Sequence, residues 1–301
     1  MATERSDLTH RILPRVLLSD GSAGSLTAPP PPLPRETLAG TRAQERFRVA
    51  GNAIVTGGAG DLGFAACRAL LEHGLEGLMI FDMNPAEAQA RIDALASDFP
   101  GAKIHFLKVD VTDEDGVNHA VDETVKLLGG VVSTLLSFAG IVACGHALDW
   151  SAMDWNRVMS VNTIGGFLVA RAVARKMIEH GTGGSMVFIA SMSAHRANYP
   201  QPQVPYNVSK AGVVAMVKSL AGEWARYGIR VNSISPGYMD TILNEGDGLD
   251  EARKIWLSRN PLGRMGQPDE MSGVVVMLAS RAGSYFTGSD FLMDGGQTIF
   301  M

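Results

Sequence analysis

The spacing of hydrophobic residues changes near residue 50. From residue 51 onward, short apolar runs alternate with longer stretches in which apolar residues recur every three or four positions. The short runs are typical of strands buried on both faces, and the longer stretches are typical of amphipathic helices. The longest predicted helices cover residues 151–180 and 206–227. The predicted strands are residues 52–56, 78–82, 104–109, 132–138, 185–190, 229–234 and 290–293.

This alternation predicts an α/β fold. Parallel strands need a crossover connection between them, and the intervening helices supply it. Because such crossovers are right-handed, the helices cover both faces of the sheet. We therefore expect residues 51–301 to form a single Rossmann-type domain, with a doubly wound parallel sheet of about seven strands and helices on both faces.

The first fifty residues have a different character. They contain seven arginines, no lysine and four consecutive prolines at 29–32. Proline-rich segments favour an extended, solvated backbone, so we predict a flexible N-terminal extension over residues 1–50. An import helix is poor in acidic residues, and Glu4, Asp7 and Asp20 argue against one here. We expect a cytoplasmic protein, with organelle import as the alternative.

Charge and cysteine content narrow the class of protein. The net charge of −5 provides no basic surface for nucleic acid or an anionic membrane. No apolar run approaches the roughly 18 residues that span a bilayer. Cys67 and Cys144 lie far apart without the spacing of metal ligands, so we predict buried or partly buried free thiols and no metal site. A small molecule is the expected partner.

A glycine-rich turn follows the first predicted strand. The segment from Thr56 to Gly63 reads TGGAGDLG and contains the pattern G-x-G-x-x-G. Glycine allows a sharp turn and close approach of a diphosphate, which binds the free N–H groups of the next helix. Glycines alone could simply form a tight turn, but the strand–turn–helix setting favours a dinucleotide site. The predicted contacts are Gly57, Gly58, Gly60, Asp61, Leu62 and Gly63.

Further cofactor contacts are predicted at the ends of the next strands. Asp82, 19 positions beyond Gly63, would accept a hydrogen bond from the adenosine ribose and repel a 2′-phosphate. This favours NAD(H), with NADP(H) as the second possibility; the alternative role for Asp82 is to start a helix. Asp110 could contact adenine or only brace the turn before Thr112. The other predicted contacts are Val111, Ala139 and Gly140.

Candidate catalytic residues lie in the second half of the chain. Tyr206 and Lys210 share one helix face, and a lysine cation lowers the pKa of a neighbouring phenol towards a value useful for proton transfer. Such a spacing also arises by chance in surface pairs. Ser191 ends a predicted strand, where it would hold a substrate oxygen, although Ser193 or a simple turn role are alternatives. Asn162 interrupts a helical stretch and predicts a kink that exposes a carbonyl to water, unless it is merely an exposed residue.

Together these motifs resemble the classical short-chain dehydrogenase/reductase family over nearly all of residues 51–301. The similarity includes the glycine-rich turn and also Ser235-Pro236-Gly237 and Asp294-Gly295-Gly296. It implies that Tyr206 is the general base in oxidation and the general acid in reduction. It further implies a homotetramer or dimer with interface helices around Asn162 and Tyr206. The other implied roles are carbonyl polarisation by Ser191, a water held by Asn162, ribose binding by Lys210, and a nicotinamide wall of Pro236, Gly237, Met239 and Thr241.

Three departures from the family pattern affect binding details. Asp61 stands where the family usually has glycine, and Ser137-Phe138 replaces a pair of asparagines. The spacing between Ser191 and Tyr206 exceeds the commonest family value by two residues. The reaction class implied by the resemblance is unaffected.

Two segments, residues 189–207 and 232–241, resemble the fungal polyol dehydrogenases and ketose reductases of the D-arabinitol 2-dehydrogenase type. The implied reaction is hydride transfer between a nicotinamide cofactor and a secondary alcohol or ketone, here a sugar alcohol and ketose pair. One alternative is a cyclic or acyl secondary-metabolite ketone or alcohol. Another is a nicotinamide-binding sensor without catalysis.

Overall fold

The computed structural model describes residues 13–299 and contains one seven-stranded parallel sheet. The strand order is β3-β2-β1-β4-β5-β6-β7, so the chain reverses its direction of winding between β1 and β4. Ligands of such sheets bind at this switch point, outside the carboxyl ends of the strands. The strands are β1 Asn52–Thr56, β2 Gly77–Asp82, β3 Lys103–Lys108, β4 Val132–Ser137, β5 Gly184–Ile189, β6 Ile229–Pro236 and β7 Asp290–Met293.

Helices cover both faces of the sheet, which confirms the predicted doubly wound architecture. One apolar core lies between the sheet and α2, α3 and α9, and the other lies between the sheet and α4, α6 and α7. The helices are α1 Ala39–Phe47, α2 Asp61–Glu72, α3 Pro85–Asp98, α4 Glu114–Leu128, α5 Ala152–Met159, α6 Gly166–His180, α7 Val204–Trp224, α8 Asp250–Ser258 and α9 Ser272–Ala279.

Strand β1 shows how one sequence supplies both cores. Ile54 belongs to the core under α4, α6 and α7, whereas Ala53 and Val55 belong to the core under α2, α3 and α9. Successive side chains of a strand point to opposite faces, so a strand covered on both faces must be continuously apolar. All three residues are fully buried. This is the pattern from which the strands were predicted.

The long helix predicted over residues 151–180 is interrupted at Asn162. Helix α5 passes into a π-helical turn at Ser160–Gly165 before α6 begins. A π-turn inserts an extra residue per turn, which bends the helix locally and changes the direction of its side chains. The predicted interruption of the helix at Asn162 is therefore a π-helical turn, and the exposed carbonyl stays a prediction.

The described part of the N-terminal extension includes one helix that the sequence did not predict. Helix α1 has no buried residue, and the apolar residues on its one face, Ala39, Ala43 and Phe47, are few and mostly small, so its hydrophobic pattern indicates a helix only weakly. Next to it, Val49 is fully buried and its N–H donates to the His73 carbonyl at 2.8 Å. Residues 1–12 and 300–301 lie outside the described residues, and the flexibility of the extension stays a prediction. No helix in residues 13–299 is long and apolar enough to cross a membrane.

Candidate active site

The glycine-rich turn fills the space between β1, α2 and β4 so closely that side chains are excluded. Gly57 has φ +68°, and a Cβ added there would lie 2.8 Å from the Ala139 nitrogen. A Cβ at Gly63 would lie 2.1 Å from the Gly57 oxygen, and one at Gly58 would lie 2.9 Å from Ile80 Cγ2. Gly60 then precedes α2, whose first N–H groups have no partner within the helix. The turn therefore forms the backbone cradle that a diphosphate requires, and these residues fit a dinucleotide.

Asp82 joins the end of β2 to the same turn. Its Oδ2 accepts a hydrogen bond from the Ala59 N–H at 3.1 Å, and its Oδ1 accepts one from the Met83 N–H at 2.7 Å. The residue that caps α3 is Asn84, so Asp82 does not take the alternative role of a cap. Its carboxylate lies beside the turn, where the adenosine ribose is expected.

The two residues after β3 are held by local contacts. Asp110 Oδ1 accepts hydrogen bonds from the Thr112 N–H at 2.9 Å and hydroxyl at 2.7 Å, which is the bracing role. Val111 is buried, and a Cβ added at Gly165 would lie 2.6 Å from Val111 Cγ2. Contact of Asp110 and Val111 with adenine stays a prediction.

Thr56 fixes the end of β4 to β1, a role that the sequence analysis missed. Its Oγ1 accepts hydrogen bonds from the N–H groups of Phe138 and Ala139, both at 3.0 Å. Gly140 follows, and a Cβ added there would lie 3.3 Å from Asn162 Oδ1 and 3.5 Å from Lys210 Nζ. The small residues after β4 therefore leave room between the glycine-rich turn and the catalytic candidates.

Ser191, Tyr206 and Lys210 converge at the carboxyl end of β5. Ser191 caps the short turn after β5, and its hydroxyl donates to Ser193 Oγ at 3.0 Å. Tyr206, on the first turn of α7, lines the same cavity. Lys210 lies one turn later, with Nζ 5.7 Å from the centre of the Tyr206 ring. The buried ammonium donates to the Ile189 carbonyl at 2.9 Å. The three side chains occupy one site, as the sequence predicted.

The pKa values of Tyr206 and Lys210 are both shifted by burial. Burial raises the pKa of Tyr206, and the polar Ser191 side chain opposes that effect. Burial also lowers the pKa of Lys210 to about 8. The prediction that Lys210 lowers the phenol pKa was wrong for this arrangement, because Nζ is directed at the Ile189 carbonyl and burial has the larger effect.

Asn162 is buried inside the π-helical turn, so the interpretation as an exposed residue was wrong. Its Oδ1 accepts from the Ile141 N–H at 2.8 Å, and its Nδ2 donates to the Ile141 carbonyl at 2.9 Å and to Ser209 Oγ at 2.9 Å. These bonds connect the segment after β4 to α7. A water held at this turn stays a prediction.

A cavity of about 200 Å³ lies over these residues. Among the described residues that line it, Lys210 is the one charged side chain. Gly237 approaches the second family motif, because a Cβ there would lie 2.7 Å from Asp294 Cα. The predicted site residues that line the cavity are Leu62, Gly140, Ser191, Tyr206, Lys210, Pro236, Gly237, Met239 and Thr241.

Part of the cavity wall is a belt of uncharged polar side chains that the sequence analysis mostly missed. The Tyr238 hydroxyl accepts hydrogen bonds from Asn198 Nδ2 at 3.2 Å and Gln201 Nε2 at 3.0 Å. The Tyr238 ring stacks on Trp256, with the ring centres 4.1 Å apart. A concentration of amides in residues 198–203 was the available signal. We call the following residues the polar belt: Ser193, Asn198, Gln201, Gln203, Tyr238 and Asn244.

The two cysteines differ in their surroundings. Cys67 is buried in the core, which raises the pKa of its thiol. Cys144 is exposed, which differs from the expectation that both thiols are at least partly buried. Residues 13–299 contain no group of three or more histidine, cysteine, aspartate or glutamate residues arranged to hold a metal ion.

Comparison with known proteins identifies the family. A family model described as Enoyl-(Acyl carrier protein) reductase matches residues 57–298. The chain is 37% identical over 270 residues to the NADP-dependent mannitol dehydrogenase of Hypocrea jecorina, covering 88% of this chain and 99% of the relative. It is 37% identical over 264 residues to the ribulose-forming D-arabinitol 2-dehydrogenase of Candida tropicalis, covering 83% and 93%.

A solved structure gives the same result. The short-chain type dehydrogenase/reductase from Mycobacterium marinum superposes with a TM-score of 0.80 at 37% identity, covering 84% of this chain and 98% of that one. The family-model match over residues 57–298 includes the glycine-rich turn and the Ser191, Tyr206 and Lys210 group described above. The chain therefore belongs to the short-chain dehydrogenase/reductase family of nicotinamide-dependent oxidoreductases.

Proposed function

We propose that the protein interconverts a sugar alcohol and the corresponding ketose by hydride transfer to or from a nicotinamide cofactor. The observation that carries this proposal is the polar belt beside Ser191 and Tyr206. Amide and hydroxyl groups donate and accept hydrogen bonds with a polyol chain. Asn198 Oδ1 is buried without a hydrogen-bond partner among the described residues, so a polyol hydroxyl would satisfy it, whereas an apolar ring or acyl chain would not. A carboxylated sugar would require a second cation, and Lys210 is the one charged residue in the described lining.

The names of similar proteins support this substrate class. The relatives include dehydrogenases named for mannitol, D-arabinitol and galactitol, and sorbose reductases, at 34–38% identity. All of these substrates are polyols or ketoses. Fold similarity alone would not indicate a substrate. Here the substrates named for the relatives agree with the hydrogen-bonding groups of the polar belt.

In the proposed reaction Ser191 and Tyr206 hold the reacting oxygen. During oxidation Tyr206 removes the hydroxyl proton, and during reduction it returns a proton to the forming alkoxide. The Ser191 hydroxyl donates to the same oxygen and stabilises the charge that develops on it. Hydride transfer to or from the carbon would be supplied by a bound nicotinamide. Lys210 and Gly140 face the space where the nicotinamide ribose is expected.

We propose NAD(H) as the preferred cofactor, with NADP(H) as the second possibility. The Asp82 carboxylate beside Ala59 supports this preference, because it would repel a 2′-phosphate. Two similar proteins are named as NADP-dependent mannitol dehydrogenases, and their names describe the cofactor of those proteins. The two cofactors must therefore be compared directly.

The decisive experiment measures nicotinamide absorbance with arabinitol, mannitol, sorbitol and xylulose, each with NAD(H) and NADP(H). Cyclic and acyl ketones are assayed in parallel. We expect turnover of at least one polyol or ketose, and a loss of about 10²–10⁴-fold in kcat for Tyr206→Phe. Turnover of the other ketones without any polyol activity would contradict the proposal. Cofactor binding without any turnover would support a sensor.

We also propose a cytoplasmic homo-oligomer, a dimer or tetramer. Exposed apolar side chains mark one surface around α5, the π-helical turn and α7: Met153, Ile164 and Val208 are 77%, 50% and 41% exposed. Apolar side chains grouped in this way are typical of an interface. The two free cysteines are consistent with a reducing compartment.

A further inference from the structure

Asp61 places a carboxylate in the cradle of the glycine-rich turn. It is the first residue of α2, at the helix end where a diphosphate is expected to bind. Its Oδ1 accepts a hydrogen bond from Arg91 Nη2 at 2.7 Å, and its Oδ2 accepts one from the Ile242 N–H at 3.0 Å. Because 181 residues separate Asp61 from Ile242, this contact connects distant parts of the chain.

Ile242 begins the segment that covers the cavity. We call Ile242–Asn244, together with the preceding Thr241, the lid. Thr241 is buried, but the side chains of Ile242 and Leu243 are 75% and 69% exposed, so apolar burial does little to fix them. Asn244 Nδ2 donates to the Met239 carbonyl at 2.7 Å, which holds the lid to its own strand end. The contact across the crevice to the glycine-rich turn is made by Asp61.

The Asp61 carboxylate is charged at neutral pH. Partial burial acts to raise its pKa, but the hydrogen bonds from Arg91 and Ile242 outweigh burial and hold that pKa below its usual value. A diphosphate brings further negative charge to the same helix end. The two anions repel each other and require the same donors, so they compete.

Arg91 is the second partner of the Asp61 carboxylate. Its Nη1 donates to the Ala59 carbonyl at 2.8 Å, and its guanidinium lies 5.2 Å from the centre of the Phe64 ring. These contacts fix the guanidinium independently of the lid. Asp61 therefore remains paired with a cation when its bond to Ile242 is broken.

We propose that Asp61 substitutes for the diphosphate and tethers the lid to the glycine-rich turn, and that a bound dinucleotide takes the Ile242 N–H from it. This inference rests on the proposed function only in requiring a dinucleotide at this turn. The tether holds the lid in place before the cofactor binds. The repulsion lowers cofactor affinity, so Asp61 sets the balance between a pre-positioned lid and tight binding.

The tether is tested by hydrogen exchange of the Ile242 amide in the full-length protein. The variants are Asp61→Ala and Asp61→Asn, and the control is Asp98→Asn, which alters another ion pair between α2 and α3, Arg68 to Asp98 at 2.8 Å. Without ligand, we expect exchange in Asp61→Ala to be about tenfold faster than in wild type, since local opening exposes the amide. With saturating ADP-ribose, which carries the diphosphate without the nicotinamide, the Ile242 amide should be protected equally in wild type and Asp61→Ala.

The competition is tested by calorimetric titration with ADP-ribose. We expect Asp61→Asn and Asp61→Ala to bind about fivefold more tightly than wild type at low salt, since a like charge at the same helix end is removed. The difference should shrink as salt rises, and Asp98→Asn should match wild type. Thermal unfolding of each variant verifies that it is folded.

Two results would overturn the inference: unchanged Ile242 exchange in Asp61→Ala, or weaker ADP-ribose binding in Asp61→Asn. A wild-type protein that binds ADP-ribose and shows the expected exchange, but turns over no polyol, would contradict the proposed function and leave the tether intact. Polyol turnover together with unchanged Ile242 exchange in Asp61→Ala would support the proposed function and contradict the tether. The two failures are therefore distinguishable.

Discussion

Proton transfer at Tyr206 depends on two burial effects that shift the pKa values of Tyr206 and Lys210 in opposite directions, each towards the neutral form. Burial raises the pKa of the phenol and lowers the pKa of Lys210 to about 8, so near neutral pH the phenol keeps its proton and the lysine is charged. Oxidation requires the phenolate and reduction requires the phenol. The resting protonation state therefore favours reduction.

The expected pH profiles follow from these signs. The kcat for oxidation should rise about tenfold per pH unit from pH 6 towards pH 9, because the phenolate fraction increases below its pKa. The kcat for reduction should stay constant up to about pH 8 and then fall as Lys210 loses its proton. Initial rates in both directions give the profiles. An oxidation rate independent of pH would assign the proton transfer to another group.

Asp82 provides a second test at the scale of one residue. In Asp82→Asn the amide oxygen still accepts a backbone hydrogen bond, while the charge facing the expected 2′-phosphate is removed. We expect the ratio of kcat/KM for NAD⁺ to that for NADP⁺ to fall at least about tenfold, since an unfavourable charge contact near a surface is worth over 1 kcal/mol. Asp110→Asn, beyond the next strand, is the matched control. An unchanged ratio would place cofactor selection elsewhere.

At the scale of elements, the π-helical turn depends on the absence of a side chain at Gly165. A Cβ there would lie 2.6 Å from Val111 Cγ2, so the turn and the end of β3 must separate in Gly165→Ala. We expect a loss of about 1–3 kcal/mol in the free energy of unfolding, as for other overpacked sites. The measurement is urea denaturation.

Gly222 of α7 is the control for this substitution. No atom lies within 4 Å of a Cβ added there, so Gly222→Ala should be neutral or stabilise the protein by up to about 1 kcal/mol through helix propensity. Equal effects of the two substitutions would show that close packing at Val111 is not what requires glycine.

The elements differ in how far the sequence could predict them. The strands were found to within two residues because a parallel strand is a continuous apolar run, and β1 is the clearest example. Helix α1 was missed because it has only three residues on its apolar face and two of them are alanine. The polar belt was missed because Gln201 is held in place by Tyr238 and Trp256, which are distant from Gln201 in sequence. The pKa of Tyr206 was predicted with the wrong sign because burial depends on tertiary packing.

At the scale of the whole molecule, the remaining prediction concerns assembly. Helices α5 and α7 pack against each other, and both present apolar side chains outward. A stable interface buries about 1,200–2,000 Å² in total, and in a two-fold dimer each substitution occurs twice. Charges placed at Met153 and Val208 would therefore be brought close to their own copies.

We expect the wild-type protein to run as a dimer or tetramer in size-exclusion chromatography with light scattering. The double variant Met153→Glu and Val208→Glu should dissociate to a smaller species, because buried like charges without partners are costly. Leu18→Glu, at an exposed residue of the N-terminal extension, is the control and should leave the mass unchanged. Since Tyr206 and Lys210 lie on α7, loss of assembly should also reduce kcat. A wild-type protein that is monomeric at micromolar concentration would contradict this prediction and leave the proposed chemistry within one chain.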